Sequence, residues 1–184
     1  HLDYPLAAPS ANIATKVSAV KAKDVKEEFG NKIKYILDGG ACAIGIESTI
    51  VNLIGRPSIL RLGGLDILKI QKTLGFKINI SINPKKKIVP GQSRLHYSPG
   101  IPLRMNVTRP KNDEAFIIIK KKKTQHKNNF YLTTKNNLVE AAKNLYSCLR
   151  KIKNQGYKSI AVEKIPNKGL GKAINDRLER ASKF

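Results

Sequence analysis

The 184-residue chain has no tryptophan, one methionine, two cysteines and three histidines, and aromatic residues make up only 6% of it. Cys42 and Cys148 stand far apart and outside any CxxC spacing, which argues against a disulfide framework and against a cysteine-based zinc site. Two free thiols suit a reducing compartment, so a cytoplasmic location is expected. Long apolar runs are missing too. Nothing approaches the roughly 18 consecutive apolar residues of a membrane span, and no signal-peptide pattern stands at the start, so no membrane association is expected. Acidic residues are scarce, 13 against 35 Lys and Arg, giving a formal net charge of +22. Such a field attracts anionic partners. Yet 27 of the 35 are Lys, and Lys, Asn and Ile run high throughout, which is the pattern of a compositional bias as much as of a binding face. The densest runs, Lys85 to Lys87 and Lys120 to Lys123, lack the interleaved aromatics that stack on bases. They read as solvated surface or linker before they read as a nucleic-acid footprint.

With 41% apolar residues the chain can bury a core, in one domain or two small ones. Apolar spacing predicts a helix over 18–29, capped by Ser18 and stopped by Gly30, and a strand over 32–37 ended by Asp38-Gly39-Gly40. Strands follow at 49–54 and 59–62, then a helix carrying Ile67, Leu68, Ile70 and Leu74. Between 78 and 101 the periodicity is lost among Pro84, Pro90-Gly91 and Pro99-Gly100, as in a linker, although His96-Tyr97 is more than a passive spacer needs. After it come strands at 114–119 and 129–132, an amphipathic helix over 137–153, a strand at 159–163 and a helix over 172–183. That alternation predicts a small Rossmann-like α/β unit with parallel pairing. The expected organisation is 1–77, a linker at 78–101, and 102–184.

Small hydroxyls, one amide and one guanidinium recur at loop ends: Ser10 and Asn12 in Pro-Ser-Ala-Asn, then Ser18, then Ser48 and Thr49 after Glu47, then Arg61. This inventory suits a nucleotide and a small zwitterion. Each member also has a plain structural role. Ser and Asn favour turns, Ser48 and Thr49 suit the start of a strand, and Arg61 in an apolar stretch suits an ion pair with Glu47 or Asp38 as well as a clamp on phosphate. No Ser-His-Asp or Cys-His constellation stands beside them, and His1 and His126 have no recognisable partners.

These segments, PSAN, Ser18, ILDGG at 36–40, GIESTIV at 45–51 and LRLGG at 60–64, resemble in order and spacing the threonylcarbamoyl-AMP synthase family, whose catalytic domain is YrdC-like. Pro90-Gly91 followed by His96-Tyr97-Ser98-Pro99 resembles the linker of its two-domain members, and Gly169 to Leu178 (GLGKAINDRL) resembles their second-domain signature. Ala14-Thr15, Gln92 to Leu95 and Leu62 depart from the family pattern. The resemblance implies an α/β fold made of the C-terminal part of a YrdC-like twisted domain, a linker and a small accessory domain. It implies a nucleotidyltransferase that makes threonylcarbamoyl-AMP and pyrophosphate from L-threonine, bicarbonate and ATP, with Mg²⁺, and hands the product to a tRNA-modifying transferase complex. Ser10 and Ser48 are then expected at threonine. Asn12, Ser18, Arg61, His96 and Tyr97 are expected at ATP, with Thr49 a weaker candidate. The family's Lys/Arg motif belongs before His1, so the chain is expected to be N-terminally truncated, its catalytic residues otherwise unknown and the fragment inactive alone. The alternative is an RNA-binding YrdC-like module without synthase activity, and a weak tRNA contact is expected in either case.

Overall fold

A computed structural model describes residues 3–120 and 126–183. His1 and Lys121 to Lys123 of the second lysine run lie outside them. Two sheets flank one C-terminal helix. The smaller sheet comprises β1 (Ile50–Asn52), β2 (Ser58–Arg61) and β3 (Asn79–Ile80), with β2 central, antiparallel to β1 and parallel to β3. The larger comprises β4 (Leu103–Arg104), β5 (Ala115–Lys120), β6 (Asn129–Thr133) and β7 (Ile160–Val162) in the order β4-β7-β5-β6, with every pair parallel. Four helices complete the chain: α1 (Ala22–Phe29), α2 (Ile67–Leu74), α3 (Leu138–Asn154) and α4 (Gly171–Ala181).

Side-chain alternation along β5 decides which layer lies where. Ala115, Ile117 and Ile119 join Leu132, Ile160 and Val162 beneath Leu145, Leu149 and Ile152 of α3 and Ile174 and Leu178 of α4. Phe116 and Ile118 point the other way, onto Ala161 and Val107. The α3 helix starts where Asn137 accepts hydrogen bonds from the amides of Val139 and Glu140, and α2 starts where Asp66 accepts from Leu68. The α4 helix serves both sheets. Ile174 and Leu178 face the larger one, while Ala173 packs with Ile59, Leu62, Ile67 and Ile78 of the smaller. Val17, Val20 and Tyr97 enter the same core as α3, so the N-terminal part of the chain and the linker share their apolar interior with the C-terminal unit.

Three expectations are corrected. The first helix begins at Ala22, not 18, and Lys21 precedes it without a side-chain cap; the Ser18 hydroxyl is engaged elsewhere. The strand expected over 32–37 does not form: Lys32 ends a single 3₁₀ turn (Gly30–Lys32), and among the described residues no strand pairs with 33–37 to receive its amides and carbonyls. The stretch 78–101 is not wholly irregular either, since β3 extends the smaller sheet. Gln92, one of the departures from the family pattern, anchors the rest of it: buried, it accepts from the amides of Ile88 and Val89 and donates to the Leu60 carbonyl.

Candidate functional site

Arg61 closes β2, and its guanidinium does not make the ion pair with Glu47 or Asp38 that its setting suggested. Nε donates to the Ser48 carbonyl at 3.0 Å, Nη2 to the Ser48 hydroxyl at 3.1 Å, and Nη1 to the Pro90 carbonyl at 3.2 Å. One fork thus joins the hydroxyl loop before β1 to the linker. Two backbone features hold that loop in place. Gly64 donates to the Glu47 carbonyl at 2.9 Å, and a Cβ at Gly63 would stand 2.3 Å from the Thr49 nitrogen, so only glycine lets the two chains approach. Thr49 is turned away, its hydroxyl donating to the Leu65 carbonyl at 2.7 Å. Ser48 itself is exposed and Arg61 is half-buried, so both are accessible to a ligand.

Behind this surface lies a buried carboxylate. Glu47 accepts from Ser18 at 2.7 Å, from the Tyr146 hydroxyl at 3.1 and 3.0 Å, and from Arg177 at 3.0 Å. Burial pushes the Glu47 carboxyl up, but Arg177, Ser18 and Tyr146 outweigh it and hold the group below its ordinary range. The cation paired with Glu47 is thus Arg177 and not Arg61. The Tyr97 ring stacks on Tyr146 at 5.8 Å, with His96 tilted against it at 4.0 Å. His96 Nδ1 accepts from the Tyr97 amide at 3.0 Å. Burial, against an opposing pull from Glu47, and then the cations Arg177, Arg180 and Arg61 lower the His96 pKa, so the imidazole is neutral at neutral pH. Burial raises the Tyr97 phenol to about 12.

Ser10 and Asn12 form a second, outer pair. Ser10 donates to the Asn12 side chain at 2.6 Å, and Asn12 donates to the carbonyls of Ile13 and Lys16, both at 3.0 Å. Backbone bonds from Val17 to Ser98 and from Ser98 to Thr15 then tie this loop to the linker just past Tyr97. The fold therefore brings Ser18, Ser48, Arg61, His96 and Tyr97 around one region. Ser10 and Asn12 join it through the backbone at 15–17. Glu47, Tyr146 and Arg177 were missed as site residues. The signal for Arg177 was present, because it falls three residues after Ile174 and four before Ala181, on the face of α4 that must be buried.

The class emerges from sequence families. Residues 65–183 match the family described as "Threonylcarbamoyl-AMP synthase, C-terminal domain", and residues 1–63 match that described as "Telomere recombination". The chain belongs to the threonylcarbamoyl-AMP synthase family. It is 35% identical to the threonylcarbamoyl-AMP synthase of Pyrococcus abyssi, covering 99% of this chain and 59% of that protein. It is 34% identical to the one from Schizosaccharomyces pombe, covering 98% and 52%. Its fold superposes on the crystal structure of Pyrococcus abyssi Sua5 complexed with L-threonine with a TM-score of 0.81 and 32% identity, over 96% of this chain and 57% of that one. The chain thus spans somewhat more than half the length of these relatives.

Proposed function

We propose that this chain supplies the accessory unit, the linker and part of the catalytic domain of an L-threonylcarbamoyladenylate synthase. The observation that carries the reading is the Arg61 fork, which joins the Ser48 hydroxyl to the Pro90 carbonyl in a chain of this family. Ser48 and Ser10 contact threonine or its carbamate. Arg61 and Asn12 lie along the ATP, and His96 and Tyr97 close over it from the linker. Ser18 belongs to the same side, although its hydroxyl reaches the nucleotide only by exchanging its bond to Glu47. The division at 77/78 and 101/102 is our proposal for the domain organisation.

The reaction asks for positioning more than for a covalent nucleophile. The threonine amine and bicarbonate give a carbamate with loss of water. A carbamate oxygen then attacks the α-phosphorus of ATP, and the bond to the bridging oxygen breaks to release pyrophosphate. Arg61 offsets the charge that gathers on the phosphates, while neutral His96 and the un-ionised Tyr97 phenol add no anion that would repel them. Mg²⁺ would supply further charge neutralisation. We take that Mg²⁺ to be carried by the triphosphate, as is usual at nucleotide sites. We place the enzyme in the cytoplasm beside a tRNA-modifying transferase complex. No helix among the described residues is long and apolar enough to cross a membrane.

The test is ATP–pyrophosphate exchange by the complete gene product. Exchange that requires both threonine and bicarbonate is expected, and a folded protein without it overturns the reading. The basic surface adds a weak tRNA contact, for which a log–log salt slope clearly below zero is expected and a flat line excludes phosphate contacts.

A further inference from the structure

Arg177 is the most thoroughly enclosed cation in the described chain, its side chain 1% exposed, and it comes from the helix farthest in sequence from the hydroxyl loops. Its three nitrogens serve three different segments. Nε donates to Glu47 at 3.0 Å, Nη1 to its neighbour Asp176 at 2.7 Å, and Nη2 to the Leu62 carbonyl at 2.6 Å. The first of these holds the residue before Ser48, and the last holds the residue after Arg61. The guanidinium carbon also lies 4.9 Å from the centre of the Tyr97 ring.

Tyr97 needs such a support. Its backbone sits at φ 60°, in the left-handed region that a bulky residue avoids. Its buried hydroxyl makes no hydrogen bond, so contacts to its ring hold it, from His96, Tyr146 and Arg177. At Gly91 a Cβ would stand 2.5 Å from the Tyr97 hydroxyl and 3.0 Å from Arg61 Cδ, which puts Tyr97 and Arg61 together against one glycine. Stability does not by itself account for the arginine. The desolvation of a buried ion network roughly cancels its attraction, and well-packed apolar side chains would serve as well. A planar fork with fixed donor directions gives geometry instead.

We propose that Arg177 is a positioning residue: acting through Tyr97, it holds the linker over the nucleotide side of the site. Asp176 and Arg180 extend the same clamp. Arg180 shares Asp176 with Arg177 and spends its remaining donors on the Ser93 and Ile82 carbonyls and on Asn83, so α4 grips the linker at a second place. This proposal rests on the ATP-site reading above.

The experiment measures ATP affinity by calorimetry and exchange kinetics in the complete gene product. Arg177→Lys keeps the charge but loses the fork and the flat face toward the ring. It is expected to weaken ATP binding about tenfold and to raise the KM for ATP by a similar factor. Arg104→Lys, which disrupts a bidentate arginine–carboxylate pair with Glu114 elsewhere, is expected to leave both unchanged. In a Tyr97→Leu background, Arg177→Lys is expected to change ATP affinity by less than about twofold, because the ring it supports is gone. Should Arg177→Lys fail to fold, the charge-free pair Glu47→Gln with Arg177→Gln takes its place with the same readout. ATP binding equal to wild type in the Arg177 variant, or a full tenfold effect that persists without the Tyr97 ring, overturns the positioning role. A wild-type protein that does not bind ATP at all fails the ATP-site reading instead, so the two failures are distinct.

Discussion

The segment from 33 to 57 is richer in apolar residues than the unit from 102 onward, yet it is the one left exposed. In the first, Leu37 is 98% exposed and Ile54 88%; in the second, Ile117, Leu145 and Ile174 are completely buried. The difference lies in partners. The C-terminal unit contains its own layers, with parallel strands that receive one another's hydrogen bonds and helices that cover one face. The upstream segment contributes one short strand and several apolar residues that stay exposed, Tyr35, Leu37, Leu53 and Ile54 among them. It is held mainly by what it borrows: Glu47 from Arg177 and Tyr146, and the 45–49 loop from Gly63. Apolar alternation becomes a strand only when a neighbouring strand is present to pair with it.

The joint between the two regions is where a large effect is expected. Glu47→Ala removes one of the two carboxylates on the buried Arg177 and leaves it Asp176 alone, so the cost is expected at the lower end of the range for a broken buried pair, about 3 kcal/mol. Urea unfolding measures it, and a loss below about 1 kcal/mol would show that the joint behaves as a surface contact. Next comes the contrast within the apolar residues. Leu145→Ala, in the completely buried face of α3, should cost about 2–5 kcal/mol. Leu37→Ala should stay within about 0.5 kcal/mol of wild type. Equal losses at the two positions would dissolve the comparison.

The smallest effect is a pH slope. The native His96 pKa is lowered from 6.5, chiefly by burial and by the surrounding arginines. As pH falls below about 6.5 the unfolded chain takes up a proton that the native imidazole resists. Stability therefore declines as pH falls from there to the native pKa, and this contribution is constant below it. His96→Asn is expected to flatten that part of the profile, measured as the urea midpoint against pH. An unchanged slope would mean that His96 titrates freely.

Much of the C-terminal unit was legible because its signals are local: the apolar stripe of α3 and the run of five apolar residues in β5. The corrections share one cause. Lys32 to Leu37 alternates as a strand should, but alternation does not say whether a neighbour exists. Ser18 has the chemistry of a helix cap, but Glu47, 29 positions on, offers a carboxylate. The partners of Arg61 are likewise non-local, since Pro90 reaches it only after β3 has brought the chain back beside β2. The candidate hydroxyls could be picked out by residue type and order. The position of Arg177 on the buried face of α4 was readable, but its pairing with Glu47 was not, because a sequence does not reveal which charges end up facing one another across two sheets.

Whether Arg61 faces ATP is read most directly from threonine- and bicarbonate-dependent pyrophosphate exchange by Arg61→Ala in the complete gene product. The expected kcat/KM for ATP is about a hundredfold below wild type, the range for loss of one electrostatic donor at a reacting phosphate, with an unfolding midpoint that shows the variant still folded. A folded Arg61→Ala protein with wild-type exchange kinetics would contradict that placement.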